Sequence, residues 1–147
     1  MSILRDERLV ALHDLVEVCR TASRHHHLAA ELIAESLAGD RRAEELRALA
    51  DQRAREADFF GERMLAENDI PAGPPAERSL LESIVAYGKG ALSDAVQSLL
   101  ADCRAQEEEV LARAVAAAGA PLRGDERQAA AALAEDARRR LELLFAT

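Results

Sequence analysis

Residues 6–38 read DERLVALHDLVEVCRTASRHHHLAAELIAESLA, a run with neither glycine nor proline. Within it Leu9, Leu12, Val16, Cys19, Ser23, His26, Ala30, Ile33 and Leu37 recur at alternating steps of three and four. That spacing lays one stripe along a helix and turns it toward a partner helix. At ~1.5 Å per residue the helix is about 50 Å long, and an apolar stripe of that length needs other helices to cover it.

Gly39-Asp40 ends the run, with glycine as the stop and aspartate as the next N-cap. A second helix is expected over about 41–68, its stripe at Ala43, Leu46, Ala50, Arg53, Ala57, Phe60 and Met64. The intervening turn is short enough to make the first two helices antiparallel neighbours. Pro71, Gly73, Pro74 and Pro75 then forbid helix. Ser79 with Glu82 three residues on forms a capping-box pattern for a short helix near 80–88. The third long helix spans about 93–118, with Val96, Leu100, Cys103, Glu107, Val110, Ala114 and Ala117 on one face. After Gly119-Ala120-Pro121, Asp125 opens a fourth, to about residue 145, which turns Ala130, Leu133, Ala137, Leu141 and Leu144 inward. The expectation is an all-α chain, one domain over 1–147. Four long helices pack as a bundle, and a long crossover between helices two and three contains a short helix, the pattern of ferritin-like bundles.

Composition agrees. The 147 residues include 32 Ala and 21 Leu, while Val, Ile and Thr together number 13 and aromatics make up 3%. Strands favour the β-branched and aromatic residues that are scarce here. With 49% apolar and 31% charged residues, a packed core and a solvated surface are both provided for. A net charge of −8 opposes binding to nucleic acid and to anionic membranes. No apolar run approaches the ~20 residues of a membrane span, and the N-terminus lacks a signal pattern. Two cysteines, Cys19 and Cys103, are too few for a disulfide framework and read as reduced core thiols. A cytoplasmic location is expected. Eighteen of the nineteen basic residues are arginine, which with the alanine excess hints at a GC-rich bacterial genome.

Inward-facing metal sites in such bundles draw on Glu-x-x-His pairs, whose spacing places carboxylate and imidazole one turn apart on one face. No such pair occurs. His13, His25, His26 and His27 all lie in the first helix, and Glu44-x-x-Arg47, Glu56-x-x-Phe59 and Glu135-x-x-Arg138 lack histidine. The stretches LHDLVEVCRTA (12–22), LADQRAREADFF (49–60) and LLADCRAQEEEVL (99–111) resemble a bacterial ferritin-like four-helix-bundle family to which no activity is assigned. Leu12, Asp14, Leu15, Glu17, Cys103 and Glu107 match its pattern. The positions that would supply Glu-x-x-His read Gln52-x-x-Arg55 and Glu135-x-x-Arg138. The resemblance implies a fold and degenerate metal-ligand positions, not a reaction.

Successive helix positions diverge by ~100°, so His25, His26 and His27 cannot meet on one ion, and only His26 falls on the seam. It reads as a hydrogen-bonded interior histidine, with a metal or ligand contact or a pH-sensitive role as alternatives. His27 and Glu31, one turn apart, read as a solvated face. Ser23, His26, Arg53, Gln106 and Glu107 stand at matching heights and suggest a polar layer that fixes helix register, with a small-molecule or ion pocket or exposure at the bundle edge as alternatives; Arg53 and Glu107 should find each other or reach solvent.

Two functions are compatible with these residues. The first is a non-enzymatic structural or interaction protein without a di-metal site, cofactor or catalytic residue. The alternative is a metal-binding or oxidoreductase bundle built on His26, Glu107 and Glu56. A homo-oligomer is expected. Phe59 should lie at the bundle edge on the side of Leu49 and Gln52, and the ends of the first helix, at Ile3 and Leu4 or at Ile33 and Leu37, should outrun their cover.

Overall fold

The computed structural model describes residues 6–37, 39–67 and 92–145. They form four helices: α1 (Glu7–Ser36), α2 (Arg41–Ala66), α3 (Leu92–Ala118) and α4 (Gly124–Leu143). No strand occurs among the described residues, and each boundary lies within two residues of its expected position. The short helix expected near 80–88, the crossover holding it, and Ile3 and Leu4 fall outside the described residues.

The ends follow capping chemistry. Asp6 and Asp40 precede α1 and α2 and accept the backbone N–H groups of Arg8 and Arg42 at 2.8 and 2.9 Å, satisfying donors that the first turn leaves without partners. Gly39 takes φ 84° between α1 and α2, a left-handed conformation that costs other residues ~1–2 kcal/mol. At α4 the Glu126 carboxylate accepts the Arg123 backbone N–H at 3.0 Å.

α1 packs against α2 and α3, and α3 against α4. Side-chain pairs set the directions. Arg113 lies beside Asp14, and Cys103 beside the His25 carbonyl, so α1 and α3 are antiparallel. Arg140 meets Gln52, Arg53 meets Asp136, and Arg63 meets Asp125, so α2 and α4 are antiparallel too. With α1 and α2 joined through the turn at Gly39, α2 and α3 run in the same direction.

The apolar interior forms two clusters. One gathers Leu12, Leu15, Cys19, Phe60, Met64, Val110 and Leu133; the other gathers Ala30, Ile33, Leu46, Leu49, Val96, Cys103 and Phe145. His26, Arg53 and Glu107, each wholly enclosed, interrupt the apolar stripes that both clusters share. The α2 stripe is buried throughout, as expected. Three details differ from the sequence reading. Leu49 is buried rather than at the edge, Ile33 is covered by its own chain, and only Leu37, 40% exposed, lies uncovered at that end of α1. The inward face of α1 also takes in Ala11, Leu15, Val18, Ala22 and Ala29, wider than a single seam, because each helix in a bundle touches more than one neighbour.

Phe60 is enclosed while Phe59, packed edge-on against it, is half-buried beneath the Arg63 guanidinium. Phe60→Ala is therefore expected to cost about 3–5 kcal/mol in urea unfolding, and Phe59→Ala less than half as much. The opposite ranking would place α2 in the wrong rotational phase.

Candidate functional site

Arg53 sits in the α2 stripe one turn from Ala50 and Ala57, both buried. A guanidinium there cannot reach water and must find its partners inside. It donates from Nε and Nη2 to the two carboxylate oxygens of Glu107, at 3.1 and 2.5 Å. Nη2 also donates to Asp136 Oδ2 at 2.9 Å and Nη1 to Glu56 Oε1 at 2.6 Å. The fork on Glu107 is the planar, bidentate geometry in which arginine and carboxylate bind best. Partners thus come from α2 itself, α3 and α4.

α1 completes the layer. His26 Nε2 lies 2.9 Å from Glu107 Oε2. An ionised carboxylate only accepts, so Nε2 carries the shared proton. His26 Nδ1 is buried without a partner, and the ring stacks on Phe145 with centroids 6.0 Å apart. One turn earlier, Ser23 Oγ donates to the Ala50 carbonyl at 2.7 Å, tying α1 to α2 beside Arg53. Asp136 also accepts from Arg139 at 2.6 Å and pairs with Arg140 at 3.5 Å, so charge balance extends from the centre to the surface of α4.

Burial and pairing compete at each carboxyl. Burial pushes Glu107 up, but the hydrogen bonds from His26 and Arg53 and the Arg53 charge outweigh it, holding Glu107 below the usual carboxylate range. Asp136 follows the same course, its burial outweighed by the charge and hydrogen bond of Arg53 and by the arginines of α4. At Glu56 burial prevails over Arg53 and the carboxyl is raised. Desolvation raises the Cys19 thiol and pushes Cys103 up to about 12. Neither thiol is available as a nucleophilic thiolate near neutral pH.

The structure brings His26, Arg53, Glu56 and Glu107 together. It leaves Gln106 half-exposed in an outer α1–α3 groove with Asp14, Glu17 and Arg113, away from the layer. His27 and Glu31 form a solvated pair at 3.6 Å. Glu56, with a side chain 23% exposed, is the layer's opening to solvent. It lines an α2–α4 cleft of about 200 Å³ together with Gln52, Phe59 and Ala129.

Sequence reasoning missed Asp136 and a second ionic cluster at the end of the bundle. There Arg8 donates from Nε and Nη2 to Glu126 at 2.8 and 2.6 Å and from Nη1 to Glu67 at 3.2 Å. Arg123 reaches Glu67 at 2.8 Å, and Arg63 pairs with Asp125. A signal for Arg8 was present, since it stands four residues before Leu12 on the same face. Asp136 had none beyond adjacency to Ala137.

Of the candidate metal ligands, Glu107 has both oxygens engaged, Glu56 bonds Arg53, and His26 faces Glu107. Among the described residues no three His, Cys, Asp or Glu side chains are grouped to hold a metal ion, and no helix is long and apolar enough to cross a membrane. The chain matches no family model, no curated protein and no solved structure.

Removing one member of an enclosed ion pair leaves the other unpaired, so Arg53→Ala should lower stability by about 3–5 kcal/mol. The pH dependence has a definite sign. Glu107, Asp136 and Glu126 all ionise below the ordinary range in the folded chain, so the unfolded chain binds more protons as pH falls. Their stabilisation is complete above the unfolded values, near ~4, and is lost as pH drops through the lower folded values. Glu56, shifted upward, opposes them in part. The urea midpoint should hold from neutrality to about pH 5 and then fall, with a shallower fall in Glu107→Gln; an unchanged slope in that variant would remove Glu107 from this account.

Proposed function

We propose that the chain is a non-enzymatic, ferritin-like helical bundle that serves a structural or interaction role in the bacterial cytoplasm, without a di-metal site. The observation that carries the reading is the Arg53 guanidinium standing among Glu56, Glu107 and Asp136. The layer's positive charge is part of the polypeptide, and the hydrogen bonds to it hold three helices at one register while His26 ties in the fourth.

The ferritin-like arrangement is supported by the parallel course of α2 and α3. α2 ends beside Arg8 and Arg123, and α3 begins beside Ile33 and Leu46. The end of α2 and the start of α3 thus lie at opposite ends of the bundle. Assembly into a homo-oligomer is part of the proposal. Its support is modest exposed apolar surface at Val10, Leu65, Val115 and Leu143, the last 77% exposed.

Elemental analysis of protein purified without a histidine tag tests the reading. Transition metal well below one ion per chain is the expected result, and a stoichiometric ion would favour the alternative of metal or redox chemistry at His26, Glu56 and Glu107. Light scattering at micromolar concentration should return more than the 15.9 kDa of one chain; a strict monomer at every salt concentration would remove the assembly part.

A further inference from the structure

A cleft outside the Arg53 layer differs from the other grooves in size and lining. It lies where α2 begins and α4 ends, against α3, and holds about 470 Å³. Small-molecule sites occupy ~300–1,000 Å³, whereas the α1–α3 grooves and the α2–α4 cleft hold only about 170 to 200 Å³ each. Its apolar lining is Leu100 from α3 with Leu144 and Phe145 at the end of α4, all part of the second apolar cluster or packed on it. Its polar lining is Arg42 from α2 and Arg104 from α3, both half-exposed, and the Gln97 amide. Apolar walls with a few polar groups are the usual make-up of a ligand site. We propose that this cleft binds an arylcarboxylate, its single negative charge on the two guanidinium groups and its ring on Leu100, Leu144 and Phe145. The inference goes beyond the metal-free reading given above and stands or falls separately from it.

The donors are there to be used. Arg104 gives Nε to Glu108 at 3.1 Å, and neither of its Nη groups has a partner among the described residues. Those two groups form the end of the guanidinium fork, which matches a carboxylate oxygen for oxygen. Arg42 gives Nε and Nη2 to Asp40 and has Nη1 to spare among the described residues. The Arg104–Glu108 pair is a surface pair one turn apart on α3, of the kind held by less than ~1 kcal/mol, so Arg104 turns to a ligand at little cost. With Asp40 and Glu108 beside the arginines, one negative charge is balanced better than the two of a phosphate. The chain's net charge of −8 acts from farther away and is screened beyond ~8 Å at physiological salt. Phe145 also faces the layer: its ring stacks on His26 with centroids 6.0 Å apart, and His26 Nδ1 is buried without a partner. A ligand pressing on Phe145 therefore changes the surroundings of an imidazole nitrogen that no protein group holds, and the His26 ring reports occupancy of the cleft.

The test titrates the full chain with 1-naphthoate and follows backbone amide and His26 ring signals by NMR. Two controls divide the ligand: 1-naphthalenemethanol has the ring without the charge, and acetate has the charge without the ring. Saturable binding of 1-naphthoate is expected, with shifts at residues 97–104 and 144–145 and at the His26 ring. The alcohol should bind at least about tenfold more weakly, the loss expected when a charged hydrogen-bonding partner is removed, and acetate should not saturate. Arg104→Gln should weaken 1-naphthoate by about the same factor. Ala101 lines the cleft and is exposed, so Ala101→Trp fills it without entering the core and should abolish binding while the helical circular dichroism of wild type is kept. Absence of saturable binding at millimolar 1-naphthoate overturns the proposal. So do shifts confined to other residues, equal affinity for the alcohol, or a folded Ala101→Trp that binds as well as wild type.

Discussion

An arginine enclosed at the centre of a helical bundle imposes a geometric demand on everything around it. Desolvating a guanidinium costs several kcal/mol, and only carboxylates at hydrogen-bonding distance on several sides offset that cost. Arg53 meets the demand with Glu107 facing it in a two-pronged bond, Asp136 beside it and Glu56 one turn along its own helix. Sliding any helix by one residue displaces its contribution by ~1.5 Å and rotates it by ~100°, which leaves buried charge unpaired. Apolar side chains tolerate such slips far better, since hydrophobic burial has no direction. The layer therefore determines how the helices align, and the two flanking apolar clusters supply most of the driving force.

The interior around it is rich in alanine. Ala22, Ala50, Ala57, Ala114, Ala130 and Ala137 are all enclosed, and small side chains let helix axes approach closely. Arg53 is the largest of the fully buried side chains among the described residues. Chemically the site is quiet: the thiols are pushed away from ionisation, and Glu107 is saturated by Arg53 and His26. Glu56 alone stands at the boundary with solvent, its carboxyl raised by burial.

Much of this was legible in the sequence, because the period of an α-helix writes itself directly into the spacing of apolar residues. Arg53 and Glu107 declared themselves by breaking stripes otherwise made of apolar residues such as Ala, Leu, Val and Phe, and glycine, proline and aspartate marked the helix ends. Asp136 was hidden because it lies ~100° from Ala137, where an outward position is the ordinary expectation for aspartate; only the need of Arg53 for more than one anion brings it inward. Gln106 was misplaced for the reverse reason, since adjacency to Glu107 in sequence sends it to a different face. The cluster around Arg8 and Glu126 joins residues 118 apart in the chain, and no local pattern reports a pair at that separation.

The division of the layer between the two helical hairpins has a consequence for how they dock. The α1–α2 hairpin carries His26, Arg53 and Glu56, whereas the α3–α4 hairpin carries Glu107 and Asp136. Each hairpin is assembled from contacts close in sequence, which form quickly. Apart from its own surface arginines, the second hairpin has no guanidinium for Glu107, which takes that of Arg53 from the first. Neither can bury its inner face alone without stranding charge. The native register of the two hairpins is thus the one in which Arg53 meets Glu107 and Asp136 and no charge at the centre is left without a partner.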